Sequence, residues 1–323
     1  MRARALRGST VEDKAIILHH YRLSPFSEKI RLLLGYCALD WLSVVQPPRL
    51  PRPELTPLTG GYRKMPVMQI GADIYCDTHV MAPELMRRGG RSDLLPAGRA
   101  DEIAELADWA DSQLFMIVIS ASMGLSALKA LRRDHGYGWG ELLRLVIDRL
   151  RMMRGADVPR ISPKQARAEL RDFLEHMSQE MEGLYRFGEV PTLADFSLFH
   201  VLGFGQATLR AGFLDTHSRL LEWYVRMGAI GHGRYRAISR AEALAVAAEN
   251  EPAELPVTDG GLTQGLSLGD AVRIAPADYG TTPTEGELVA ATAERWIIAR
   301  DAGELGRLHL HFPRQGFTIH RAD

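Results

Sequence analysis

Residues 15–38 read AIILHHYRLSPFSEKIRLLLGYCA, and this stretch decides how the chain begins to fold. Its first part, 15–21, is a short apolar run rich in β-branched residues, which predicts a strand. From Ser24 to Ala38 the spacing changes. Ile30, Leu33, Leu34 and Cys37 fall at i, i+3, i+4 and i+7, one face of a helix. Ser24 stands where an N-cap belongs, and Pro25 where a first-turn proline is tolerated. Downstream, 41–46 predicts a second strand, and a Pro-rich connection follows over 47–57. The runs 65–70 and 73–76 predict a hairpin about Gly71, and 78–88 continues as a helix with Pro83 expected in its first turn. The order β-α-β, loop, β-β-α over residues 15–90 makes a compact α/β unit on a mixed sheet.

Beyond residue 98 the texture changes to long helical periods, over 100–122, 140–153, 163–187, 193–209, 220–227 and 240–248. An all-α bundle domain is therefore expected over 98–250. Within it, 131–160 reads as an insertion, a surface excursion in preference to a roof over a site. A Pro/Gly linker spans 251–265. Residues 266–323 lack lysine and alternate in five short runs, 271–274, 286–289, 296–299, 308–312 and 317–320, separated by turn residues. They predict a small, SH3-like, β-barrel-like module.

The composition narrows the function. Of 323 residues, 46% are hydrophobic and 24% charged, which excludes bulk disorder. A net charge of −1 gives no polyanion-binding surface, so no nucleic-acid partner is expected. The uncharged stretch 112–128 contains four serines and is too short for a comfortable membrane span, so it predicts a buried helix. The Arg-rich segment 1–14 lacks an apolar core and reads as a loose tail, not a secretory signal. Cys37 and Cys76 form no CxxC pair and no zinc spacing; both read as buried thiols in a reducing cytoplasm. His19 and His20 alternate across a strand, and His309 and His311 share a face without a neighbouring acid in sequence, so no metal is expected.

Three features carry chemistry. Ser24 opens a helix, whose N-terminus offers N–H groups and a partial positive charge to a thiolate or phosphate. An ordinary cap is the simpler reading of Ser-Pro alone. Met65-Pro66 opens a strand. A cis peptide there would turn the backbone groups of Met65 toward an extended peptide, whereas a trans bond would mark an edge strand. Asp77-Thr78 ends a strand and opens a helix, as a capping pair or as a grip on an ammonium and a carboxylate.

Taken in order, Ser24-Pro25-Phe26-Ser27, Arg63-Lys64-Met65-Pro66-Val67 and Cys76-Asp77-Thr78 resemble the N-terminal, thioredoxin-like domain of the glutathione transferase superfamily, tau-class and omega-class members in particular. Pro191-Thr192-Leu193-Ala194-Asp195 resembles the family's helix start in its all-α domain, where Thr192 and Asp195 would form a capping box. The resemblance covers about residues 15–248 and none of the β-rich tail. It implies that Ser24 stabilises the thiolate of glutathione as cosubstrate, that Met65 pairs with its cysteinyl part and that Pro66 holds that peptide turned. Asp77 and Thr78 would take the γ-glutamyl end, and Lys64 the glycyl carboxylate. Tyr21 and Ser27 lie close enough to be alternative donors. Asp77 is one methylene shorter than the family's glutamate.

The resemblance further implies a homodimer and transfer to a small hydrophobic electrophile bound near Phe115 and Met116. A glutathione-dependent lyase, dehalogenase or isomerase would use the same thiol site. A non-catalytic binding or regulatory scaffold, with a partner on the β-module, is the alternative from another class.

Overall fold

The computed structural model describes residues 15–124, 128–129, 132–133, 137–156, 161–209, 213–258 and 265–322. The tail 1–14 lies outside them, as do parts of the 131–160 insertion and of the 251–265 linker. Strand β1 (Ile16–His20) leads into α1 (Pro25–Tyr36), β2 (Trp41–Val45) and a short α2 (Thr56–Thr59). The hairpin β3 (Val67–Ile70) and β4 (Asp73–Cys76) turns at Gly71, whose φ of 59° suits glycine, and α3 (Thr78–Gly89) follows. β1 pairs β2 in parallel and β3 antiparallel, as a thioredoxin-like unit requires.

Helix α1 forms where its apolar period predicts. Ile30, Leu33 and Leu34 are fully buried and each contributes about 1.5–3 kcal/mol. Ser24 caps it by accepting the Ser27 N–H at 3.2 Å. In α3, Pro83 sits in the second turn, not the first, because the helix is capped by Asp77 and begins at Thr78. Both cysteines are free and buried, and burial pushes the Cys37 thiol up to about 11.

The helical region begins with α4 (Ala100–Trp109), passes through a π-turn at Ala110–Leu114 and continues as α5 (Phe115–Ala121). Then come α6 (Trp139–Met152), α7 (Pro163–Gln179), α8 (Leu193–Thr208), α9 (Ser218–Ala229) and α10 (Arg240–Ala248). Helix α7 stops well short of residue 187, since the following chain is drawn into a turn in which Asp195 Oδ1 accepts the Arg186 N–H at 2.9 Å. The capping box at α8 is present: Asp195 Oδ2 accepts the Thr192 N–H at 2.8 Å and the Thr192 hydroxyl at 2.9 Å. A three-residue strand, β5 (Tyr235–Ala237), interrupts the helices and pairs β2 in parallel. No described helix is long and apolar enough to cross a membrane.

All five C-terminal strands appear: β6 (Ala271–Pro276), β7 (Thr284–Ala291), β8 (Arg295–Asp301), β9 (Arg307–Pro313) and β10 (Phe317–Arg321). They do not stand apart as a small barrel-like module. Their order is β10-β6-β7-β8-β9, and β9 then pairs β4 in parallel, so one ten-stranded sheet runs through the molecule to β5. Among the described residues no pairing closes β9 onto β10. Strand β4 would otherwise be an open edge, and β9 covers it. The apolar faces merge as well: Leu58, Met65 and Ile74 share one core with Ile298, Leu310 and Phe312.

Candidate functional site

The register of the sheet gathers the three features. His19 pairs Val67, and Val67 pairs Cys76. Hence the end of β1, the start of β3 and the end of β4 meet at one rim of the sheet, with the N-termini of α1 and α3 beside them. The Met65-Pro66 peptide is cis. The Ser24 hydroxyl accepts from Ser27 N–H and donates to the Met65 carbonyl at 3.5 Å. Ser24 is thus the cap, and it also touches the strand it was expected to serve. It is only 2% exposed. Ser27 is buried deeper with its hydroxyl unpartnered, and the Tyr21 hydroxyl accepts from Arg149 at 3.1 Å.

At α3, Asp77 has a φ of 100°, a strained value for a residue with a side chain. Its Oδ1 accepts the His79 N–H at 3.1 Å and meets His79 Nδ1 at 2.8 Å, while Oδ2 accepts from Tyr62 at 3.3 Å. Burial alone would raise the Asp77 pKa, but the hydrogen bond and charge of His79, with Lys64 nearby, pull it down. Thr78 is buried as the first helical residue. His79 is a residue the sequence reading missed. Its Nε2 lies 3.1 Å from Asp108 on α4. Burial lowers its pKa, yet Asp108 and Asp77 together lift it to about 10, so it is an imidazolium at neutral pH. A cation at a helix N-terminus opposes the helix dipole, and the two carboxylates are what hold it there.

Lys64 is engaged from far along the chain. Its Nζ lies 2.6 Å from Asp278 Oδ1 and 4.2 Å above the Tyr279 ring, both in the loop 277–283 between β6 and β7. The turn after β9 reaches the same rim, where Gln315 donates to Asp108 Oδ2 at 2.7 Å. The insertion closes in too, since Arg149 of α6 donates to the Pro48 carbonyl at 2.8 Å and Asp148 pairs Arg63 at 3.1 Å. Its described helix α6 therefore packs against this rim.

Behind α1 lies a buried ionic cluster. Lys29 Nζ meets Asp111 Oδ2 at 2.5 Å, and His200 Nε2 meets Asp111 Oδ1 at 2.7 Å. The π-turn presents Asp111 here. Burial would raise its pKa, but Lys29 and His200 hold it far below the carboxylate range. A cleft of about 210 Å³ opens beside Ser24 between α1 and α8, lined by Arg22, Pro25, Glu28, Phe199, Phe204 and Tyr224, among others. Phe115 packs at 4.9 Å on Phe26 instead of lining it, and neither it nor Met116 belongs to the cleft. A larger, shallower depression at the β2–β5 edge, lined by Ser43, Glu54 and Arg240, is remote from these groups.

The histidines that pair in sequence, His19 with His20 and His309 with His311, lie next to side-chain partners. His19 bonds Gln69 at 2.9 Å, His20 bonds Ser43 at 2.8 Å, and His311 bonds Asp73 at 2.8 Å with His309 3.9 Å from the same carboxylate. Asp73 is the acid that sequence proximity did not reveal.

A family model described as the glutathione S-transferase N-terminal domain matches residues 18–91. A GST-like protein from Pseudomonas syringae of known structure is 34% identical over 96% of this chain and 100% of its own, with a TM-score of 0.78. FzlA from C. crescentus is 20% identical over 75% of this chain and 96% of its own at a TM-score of 0.50, a likeness of fold alone. A glutathione S-transferase from Rhodospirillum rubrum F11 is 20% identical over 66% of this chain and 88% of its own, at 0.49. No curated protein matches the sequence.

Proposed function

The chain belongs to the glutathione S-transferase superfamily, and from that premise we propose that it is a glutathione-dependent transferase acting on a small hydrophobic electrophile. One observation carries the reading: the Ser24 hydroxyl, at the N-terminus of α1, faces the Met65 carbonyl at the rim where Asp77 and Thr78 open α3. Glutathione, when bound, supplies the nucleophilic thiolate. Ser24 and the helix terminus would lower the pKa of that thiol, which is mostly protonated at neutral pH when free. Met65 would offer its backbone groups, and Pro66 would hold them turned. Asp77 and Thr78 would receive the γ-glutamyl end, and Lys64 the glycyl carboxylate. The cleft lined by Pro25, Phe199, Phe204 and Tyr224 has the apolar walls an electrophile of this kind needs. With the family goes the expectation of a homodimer in a reducing cytosol.

A second reading, a non-catalytic scaffold, is favoured by one specific observation. Lys64 and Asp77 are already matched by Asp278 and His79. The ultraviolet absorbance of the bound thiolate, followed against pH, separates the two. The transferase reading expects a thiolate at neutral pH whose pKa rises in Ser24→Ala, with kcat/KM falling by about a hundredfold. A thiol that titrates as it does in free solution would leave the scaffold.

A further inference from the structure

We propose that the loop 277–283 is a built-in competitor for the glutathione site, in which the Asp278 carboxylate takes the place on Lys64 that the glycyl carboxylate would fill. This rests on the glutathione reading and adds its regulation: the site is covered in the resting chain, and the ligand enters by displacing the loop.

The loop does more than pass nearby. Lys64 is one of only five lysines in the chain. Its ammonium is clamped between the Asp278 carboxylate at 2.6 Å and the face of Tyr279. Burial raises the Tyr279 hydroxyl pKa, and the charge of Asp278 and more weakly that of Asp77 raise it further. A Cβ added at Gly280 would lie 3.5 Å from the Arg63 side chain, next to Lys64 in sequence, so the loop runs close to that side chain. The loop therefore meets residues 63 and 64 at once.

It is also held in a way that can be undone. Its backbone is tied by hydrogen bonds from Gly280 N–H to the Met152 carbonyl at 3.0 Å and from Ala277 N–H to the Gly316 carbonyl at 2.9 Å. The Asp278 side chain is 41% exposed, so its pair with Lys64 is screened by water and easily exchanged for another carboxylate. The strands on either side, β6 and β7, are anchored in the sheet, so the loop can lift without unfolding the array. Because Met152 ends α6, displacement would also release the end of that helix.

The test uses the full-length chain with glutathione as probe. Calorimetric affinity is compared for the wild type and Asp278→Asn, which keeps the side-chain volume and removes the charge. Hydrogen exchange of the wild type is followed with and without saturating glutathione. The expected result is affinity about fivefold tighter in the variant, the factor carried by a half-exposed ion pair. Exchange at Ala277 and Gly280 should quicken on binding. The exchange arm needs no variant to fold. Equal affinities, with exchange at 277–283 unchanged in the bound wild type, would overturn the competitor. Absence of binding in both chains would instead remove the glutathione reading and the competitor with it.

Discussion

The imidazole Nε2 of His311 stands 2.8 Å from Oδ1 of Asp73, and this contact bolts the C-terminal strands to the N-terminal hairpin. It lies at the β4–β9 junction, where Tyr75 stacks on the His311 ring at 4.3 Å between centroids. The other oxygen of Asp73 accepts the Ala253 N–H at 2.7 Å, so the segment after α10 is fastened by the same side chain. The site depends on this junction, because the loop over Lys64 is carried by the strands it holds.

Asp73→Asn should therefore loosen the C-terminal strands. One of two buried acceptors becomes a donor, which costs about 1–3 kcal/mol. Chemical denaturation should show the loss, and hydrogen exchange should place it in β9 before β1. A variant as stable as the wild type would mean that the apolar core alone joins the two parts.

The pH profile of stability follows from the buried histidines. Burial lowers His19 to about 4 and His20 to about 3, so the unfolded chain takes up protons first as pH falls below 6.5. Stability is lost between pH 6.5 and about 3, and His19 alone accounts for on the order of 3 kcal/mol of it by about pH 4. His79 has the opposite sign. Its pKa is raised to about 10, so its contribution is complete below 6.5 and disappears as pH rises through 10. Melting temperature against pH should form a dome, and His19→Gln should flatten its acid side. An acid limb unchanged by that substitution would contradict the assignment.

Asp195 is acceptor to the Thr192 N–H and hydroxyl and the Trp223 indole at 2.9 Å, all buried, and to the half-buried Arg186 N–H. Asp195→Ala should cost about 3–5 kcal/mol, since several buried donors lose their partner together. Equilibrium unfolding checks this; a loss within about 0.5 kcal/mol, the size of an ordinary surface change, would show that water replaces the carboxylate.

What could be read from residues alone was local. The period of Ile30, Leu33 and Leu34, the Ser24 cap, the Gly71 turn and the Thr192–Asp195 box lie within a few residues of one another, and each appears as expected. The five C-terminal strands were legible for the same reason. Their placement was not. Pairing of β4 with β9 links Asp73 to His309 across the chain, and no local pattern encodes which edge a strand will cover. Strand β5 has three exposed residues and carries no hydrophobic alternation to read. At the site, Ser24, Met65 and Asp77 were expected from the family resemblance that their motifs carry, not from local pattern alone. The pairs Lys64–Asp278 and His79–Asp108 could not be read, because tertiary folding makes them.

The central claim is that the rim formed by Ser24, Met65 and Asp77 takes glutathione. Titrating glutathione calorimetrically into the wild type and into Asp77→Ala tests it most directly. The account predicts binding at about millimolar or better in the wild type, weakened severalfold in the variant. No heat in the wild type, together with a melting temperature unmoved by about 10 mM glutathione, would contradict it.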